Sequence, residues 1–536
     1  MNTDQREIEW QFDADRLSGA QTCLARIARR HGLTPGKARV ETHHDTYFDT
    51  GDWRVYRAGY ALRLRVAAGP ESQPGELTLK SLAAAEKGLR QRREVTETLE
   101  SVDRREPAVA ALAAPGPVGE RVRAIAGPAR LEPIFEIVTR RKAIPLSANG
   151  QRAGEIALDE TTIAGDRELS PHLARLRRIE IEAAPGMAPL LQPFVSESRK
   201  VCHLREAEQS RFEIGLAARG LTPASVTDVF PALAQHATAT RGMTLGELAM
   251  LMVRRRAIEM LEQEPATRMG DDIEALHAMR VATRRLRSIL RLFEDALPGQ
   301  GIALAEELRW LAGALGETRD LDVHLEQTRA WLATADPQER APLETLARLL
   351  EQDRLLARRR MLDALDSARY ERLKISLASL GAQAHALPRL AGKPAAKVMP
   401  GLIQRRYRRL RRLADRLSDD SPPPDFHAAR IQCKRLRYAL DCAEALYGRP
   451  VRAAIKRLAN IQAILGQYQD AQVAIARMRD LCSRHTADLP PGAVETLNKI
   501  AQQHARQGEE IKQRFWPAWR KLRGSAWRKL AERMNE

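Results

Sequence analysis

Aromatic side chains are scarce in this chain, at 4% of 536 residues. A protein that grips nucleic acid by base stacking needs platforms of Phe, Tyr or Trp, and none is legible here. Cysteine is rarer still. The five (Cys23, Cys202, Cys433, Cys442, Cys482) are scattered, odd in number and never in CxxC spacing. That argues against a zinc site or a disulfide framework and predicts a reducing compartment. No uninterrupted apolar run reaches the roughly 18 residues of a membrane-crossing helix. The opening MNTDQREIEW carries charge where a secretory leader has an apolar stretch. Together these absences predict a cytoplasmic protein.

Charge, by contrast, is abundant and unevenly spread. Residues 1–220 hold 34 Lys+Arg against 31 Asp+Glu, while residues 221–536 hold 53 against 38. The second part is therefore suited to a polyanion: nucleic acid, polyphosphate or an anionic membrane surface. Hydrophobic residues make up 44% of the chain, enough for real cores, and its length fits roughly two to four domains.

Up to about residue 215 apolar and polar residues alternate with period two in EIEWQF (7–12), ALRLRV (61–66), ELTLK (76–80), GEIALDE (154–160) and RIEIEA (178–183), the pattern of β-strands. Helices are predicted from Ala14 and around Val118–Ala126. From Thr244 the pattern becomes long helices rich in Ala, Leu, Arg and Glu, with breaks near Pro298, Asp336-Pro337, Pro388 to Pro400, Ser421 to Pro424 and Pro490-Pro491. The fold class is α+β multidomain. An N-terminal antiparallel β-barrel or tunnel with flanking helices spans 1–215, and a linker spans 216–240, its stretch beginning at Gly215. An all-α helical bundle spans 241–536, with repeat halves at about 241–390 and 400–536. The tryptophans of the terminal stretch (Trp516, Trp519, Trp527) are expected to seal that bundle.

The repeat is written in HAMRVATRRLR (277–287) and HAARIQCKRLR (427–437). His277, Arg280, Arg284 and Arg287 correspond to His427, Arg430, Lys434 and Arg437, each displaced by 150, and LGETRD (315–320) corresponds to LGQYQD (465–470) at the same offset. One offset across both motifs indicates internal duplication. Positions i, i+3, i+7 and i+10 share one helix face, giving each half a basic stripe roughly 15 Å long. Like charges in a line repel one another, and an extended phosphate chain lying along them removes that penalty. The alternative for a single charge run is a solvated face.

HAMRVATRRLRSILRLF, LAGALGETRDLDV, HAARIQCKRLRYAL and IQAILGQYQDAQV resemble the signature helices of CHAD domains. The resemblance implies an all-helical fold that binds long-chain inorganic polyphosphate and associates with polyphosphate granules. The residues implied are His277, Arg280, Arg284, Arg287, Arg319, His427, Arg430, Lys434 and Arg437. Gln469 stands at the repeat position of Arg319, and the histidines as metal ligands are the other reading of those two positions.

In the N-terminal strands Glu7, Glu9 and Gln11 share one face, Glu180 and Glu182 another, and Asp159 lies on the side of Glu155; Arg63 with Arg65, Thr78 with Lys80, and Arg92 with Glu94 behave alike. For any single strand this is an ordinary solvated face. Segregated acids and bases on many strands suggest a barrel with its apolar faces outward against helices and its charges inward, acids holding a hard divalent ion and bases holding phosphate oxygens. EIEWQ, YFDTGDWRVYRAGYALRLR, LTLK, QRRE, FEIVTRRKAIPL, EIALDE and IEIE resemble the CYTH superfamily of triphosphate tunnel metalloenzymes. The order CYTH then CHAD is similar to bacterial inorganic triphosphatases of that plan. The resemblance implies Mg²⁺ or Mn²⁺ on Glu7, Glu9, Asp159, Glu180 and Glu182. It implies a catalytic set of Glu7, Glu9, Arg63, Arg65, Lys80, Arg92, Glu94 and Arg141, and triphosphate as substrate.

Two positions depart from that pattern. Gln11 stands where the family's ExExK opening has lysine, and CHLREAEQSRF (202–212) shows no clear lysine equivalent near the end of the domain. A non-catalytic polyphosphate-binding protein with a degraded site is therefore the alternative to an enzyme. Nucleic acid is not expected as a partner, and adenylate cyclisation stays formally open.

Overall fold

In the computed structural model, which describes residues 3–67, 72–82, 88–103, 106–164, 172–234, 238–380, 388–484 and 493–536, the alternating segments form eight principal strands. They are β1 (Thr3–Asp13), β2 (Arg39–Thr50), β3 (Tyr60–Ala67), β4 (Ser72–Ser81), β5 (Leu89–Asp103), β6 (Leu131–Ala148), β7 (Gln151–Ala164) and β8 (His172–Ala183). All pairings are antiparallel, in the order β1-β5-β4-β3-β2-β6-β7-β8, and β8 pairs back onto β1 to close the ring. Closure leaves each strand one inward and one outward face. Trp10, Phe12, Ile179 and Ile181 turn outward and are buried with Leu24 and Ile27 of α1 (Ser18–Arg30). Leu62, Leu64, Leu77, Leu79 and Val95 cluster likewise with Val118, Val122 and Ile125 of α2 (Pro117–Ala126). Glu97 on β5 anchors the start of α2: its carboxylate accepts the backbone N–H groups of Gly116, Val118 (3.1 Å) and Gly119 (3.0 Å), donors that the first helical turn cannot satisfy itself.

Two expectations are corrected here. Cys23 on α1 and Cys202, directly after α3 (Ala188–Val201), form a disulfide with Cα atoms 6.1 Å apart. Their separation of 179 residues hides the pair from any reading of spacing, because packing of α1 and α3 on the same sheet face brings them together. The linker does not open at Gly215. That residue lies within α4 (Arg211–Ala218), where an added Cβ would meet the Phe135 ring at 2.3 Å, so only glycine allows the helix this close to β6.

By its internal contacts the chain forms two compact units, Met1–Val229 with Glu264–Asp272, and Phe230–Gln263 with Ile273–Glu536. The second unit is helical and repeats itself. α5 (Leu245–Glu262), α6 (Ile273–Leu292) and α7 (Gln300–Thr334) are followed by α8 (Pro337–Asp366) and then by a second series, α9 (Ala395–Ala414), α10 (Pro423–Tyr447) and α11 (Arg449–Arg484). Reciprocal backbone bonds relate the halves: Leu245 N–H donates to Lys393 O (2.8 Å) and Ala395 N–H to Met243 O (2.9 Å).

Helix starts fall near Pro298, at Pro337 and at Pro423, as composition predicts. Pro400 is a correction, since α9 runs through it. The carbonyl of Ala396, which a residue-400 N–H would have capped, instead accepts the Tyr447 hydroxyl at 2.7 Å. The break at Pro490-Pro491 lies outside the described residues. Trp519 and Trp527 are buried, the latter stacked on Tyr407 at 3.6 Å.

Candidate functional site

The strand ring encloses a cavity of about 530 Å³. Its wall carries seven carboxylates (Glu7, Glu9, Glu76, Glu94, Glu155, Glu180, Glu182) and seven cations (Arg63, Arg65, Lys80, Arg92, Arg141, Arg152, Arg211). Glu7, Glu9, Arg63, Arg65, Lys80, Arg92, Glu94 and Arg141 thus share one space. The register explains how. Glu7 pairs with Arg92 across β1 and β5, Lys80 with Glu94 across β4 and β5, and Arg63 with Thr78 across β3 and β4.

The charges compensate one another. Lys80 Nζ reaches Glu7 (2.5 Å), Glu94 (3.4 Å) and Glu9 (3.6 Å), and Arg92 reaches Glu9. Burial opposes the charge on Lys80, yet Glu7 and Glu94 outweigh it and raise its pKa. Burial likewise opposes ionisation of Glu180, but Arg211 and Arg141 hold its carboxyl far below the usual range. Arg65 makes a two-pronged contact (2.7 and 2.8 Å) with the buried Asp45, which fixes the guanidinium. The Nε–H groups of Arg63, Arg92 and Arg211 are buried without an acceptor among the described residues. Unmet donors in such a place are what a phosphate oxygen would satisfy.

In one row like charges face each other across the strands. Glu9 stands directly opposite Glu182, and Glu182 opposite Glu155, on three adjacent strands. Facing carboxylates repel. Glu182 is exposed yet set in the cavity wall, and desolvation there, together with the charges of Glu7 and Glu94, pushes its pKa up to about 7. Among the described residues no three His, Cys, Asp or Glu side chains converge as a metal ion requires. The donor chemistry nevertheless fits a hard divalent cation, being all oxygen and crowded with like charge. Glu7, Glu9, Glu180 and Glu182 line the cavity together, and Glu155 shares the row of Glu9 and Glu182. Asp159 does not line the cavity: it is fully buried, and its oxygens take Arg141 (2.7 and 3.0 Å) and Arg211, making it a counter-ion that orients those guanidiniums.

Sequence reasoning missed Arg211. It follows Ser210, whose side chain and Glu213 form a capping box at the start of α4, and that box aims Arg211 at Asp159 and Glu180 (2.7 Å). The S-x-x-E signature was legible in SRFE; the direction of its first helical residue was not. Gln11 is also placed. Its amide donates to Glu9 and Glu180, both at 3.0 Å, and its oxygen stands 3.5 Å from Nη1 of the fully buried Arg178.

In the helical unit the two stripes face each other. Arg284 of α6 donates to the Tyr438 hydroxyl of α10 at 3.2 Å. Lys434 is pushed down to about 7 by burial and by Arg284, Arg430, Arg280 and Arg437. The repeat is preserved at the level of contacts. Arg319 donates to His277 Nδ1 (3.3 Å), and 150 residues on Gln469 Oε1 meets His427 Nδ1 (2.9 Å). Gly316 and Gly466 each pack beside the arginine of their own half, Arg280 and Arg430. Arg319 and Gln469 each orient a histidine but with opposite polarity, for Arg319 donates to the ring nitrogen and the Gln469 oxygen accepts from it. Burial and Arg319 lower the His277 pKa. Arg287 belongs to a different neighbourhood, beside Arg291 and Arg435.

Residues 6–197 match the model of the CYTH domain and residues 252–479 that of the CHAD domain. The chain carries a CYTH domain followed by a CHAD domain. An uncharacterised protein of Mycobacterium tuberculosis strain CDC 1551 is 32% identical over 288 residues, half of this chain, and a second from strain H37Rv matches equally. The chain spans about half (53%) of the length of these curated relatives. Among solved structures, the CHAD domain of Ricinus communis is 29% identical, covering 55% of this chain and 95% of its own, with a TM-score of 0.43. PptA from Streptomyces chartreusis is 21% identical, covering 52% and 99%, also at 0.43. The Hippeastrum protein HpAC1, described with a dominant triphosphatase activity, is 19% identical, covering 40% and 97%, at 0.28. No helix among the described residues is long and apolar enough to cross a membrane.

Proposed function

We propose that the CYTH domain is a metal-dependent inorganic triphosphatase, releasing diphosphate and phosphate, and that the CHAD domain binds long-chain polyphosphate. One observation carries the first half. The acidic row of β7, β8 and β1 lies across the ring from Arg63 and Arg65 of β3, inside a charge-matched cavity. An elongated polyanion fits between the two sides. Arg63, Arg65, Arg92, Arg141 and Arg211 take its oxygens, and Lys80 exchanges carboxylate for phosphate. A divalent cation on Glu7, Glu9, Glu180 and Glu182 would offset charge at the terminal phosphoryl group. The ring walls orient the chain and limit the water that reaches it. For the CHAD domain the support is the pair of facing stripes, whose mutual repulsion a phosphate chain relieves.

The test is phosphate release from triphosphate by pure protein with Mg²⁺ or Mn²⁺, screened beside ATP, thiamine triphosphate and long-chain polyphosphate. Release is expected with triphosphate and is lost in Glu7→Ala, while calorimetric Mn²⁺ binding weakens in the same variant. No release with either metal from wild-type protein would leave the alternative, a polyphosphate binder with a degraded site, which Gln11 favours.

A further inference from the structure

The halves of the CHAD domain correspond residue for residue at the 150-residue offset, but their flanks do not carry equal charge. On one flank Arg256 is paired with Glu259, Arg285 and Arg437 lie over the Tyr438 ring (5.7 and 5.6 Å), and Asp441 faces all three arginines. The corresponding arginines on the other flank are Arg406, Arg435 and Arg287. Their neutralising neighbours have changed. Arg409 stands where Glu259 stands, Ser288 where Tyr438 stands, and Arg291 where Asp441 stands.

Five arginines therefore gather on this flank, from α6, α9 and α10. Glu306 answers part of that charge, pairing with Arg291 and, at 3.4 Å, with Arg309. Burial together with Arg409 and Arg435 pushes Arg406 down to about 10. Arg435 in turn feels burial, Arg291 and Arg409. The cluster meets the stripe at Arg287, which follows Arg284 by about one helical turn. Repulsion of this kind is tolerated where an anion neutralises it.

We propose that this five-arginine flank is a second anion-binding surface that continues the central stripe on one side only, so that a condensed-phosphate chain leaves the stripe over Arg287, Arg291, Arg406, Arg409 and Arg435. The inference rests on the polyphosphate reading of the stripe. It separates two tasks: the stripe grips any short segment, and the flank adds affinity only for chains long enough to run off it.

The experiment compares a short oligophosphate, contained within the roughly 15 Å stripe, with long-chain polyphosphate, by calorimetry with chelator present. Proteins are wild type, Arg284→Ala, Arg409→Glu, and Arg291→Asp with Arg409→Glu, which restores the two acidic neighbours that the other flank has. Arg409 is exposed, so its single variant guards against misfolding. Long-chain affinity is expected to fall roughly tenfold or more in the double variant, with a shallower salt dependence as fewer counterions are released. Short-chain affinity stays within about twofold, whereas Arg284→Ala weakens both. Unchanged long-chain binding, or equal loss for both lengths, in a protein whose wild type binds both would overturn the flank and leave the stripe standing. A wild type that binds neither chain sinks the polyphosphate reading itself and this inference with it.

Discussion

Replacing Arg211 with glutamine keeps the length and the capping box but withdraws one guanidinium from Asp159, Glu180 and the cavity. If phosphate oxygens bind there, kcat/KM for triphosphate falls about 10- to 100-fold, measured by steady-state kinetics, since a hydrogen bond to a charged group contributes about 1.5–3 kcal/mol. Gln11→Lys tests the opposite idea, that the cavity lacks a cation. Read from sequence alone, a lysine there should restore a missing contact. In the structure Gln11 already bridges Glu9 and Glu180, and its oxygen lies toward Arg178. A second cation beside that guanidinium is expected to change the rate less than tenfold, and a gain above that would show the site to be short of charge. What period two revealed was which residues share a face: every acid and base assigned to catalysis lies on the cavity wall. It said nothing of depth, which is why Asp159 was grouped with metal ligands when it lies buried among arginines.

At the level of elements, the helix pair α6 and α10 concentrates the electrostatic stress, and Lys434 is its most sensitive reporter. Its ammonium faces Arg280 and Arg284 from α6, Arg430 and Arg437 from its own helix, and Asp470 from α11. Free, Lys434 titrates near 7; beside a bound polyanion its pKa rises toward the usual lysine range. The bound state then holds the proton more tightly, so binding takes one up. Affinity is fully present below pH 7 and weakens as pH climbs from about 7 toward 10. Lys434→Arg should flatten that profile, read by polyphosphate titration at several pH values. A slope that survives in the arginine variant would assign the proton elsewhere. The stripes were legible because helical spacing and the repeat are both local patterns. The duplication also points to two stripes packed together, while the contacts that join them, Arg284 with the Tyr438 hydroxyl among them, depend on side-chain packing that no local pattern carries.

Across the whole molecule, two long-range links decide what composition could not. The Cys23–Cys202 bond ties α1 to the end of α3 over the outer face of the sheet. A crosslink closing so long a loop typically contributes about 2–4 kcal/mol. Thiol reductant, or Cys23→Ser, is therefore expected to lower the melting temperature of the transition that reports the strand ring by several degrees in differential scanning calorimetry. An identical thermogram with and without reductant would mean the bond adds nothing to stability. Cysteine count alone pointed the other way, because scarcity says nothing about which two thiols the fold brings to 6.1 Å. The division into strand and helix territories, in contrast, was readable from the change of period near residue 244.

The second link is the exchange of backbone bonds between Met243–Leu245 and Lys393–Ala395. On the ribosome, the amide of Leu245 emerges long before its acceptor is made. At about 5–20 residues per second the interval for 150 residues is roughly 8–30 s. Through that time water must serve the opening helix of the bundle, and its lasting partner arrives only when the later copy has been translated.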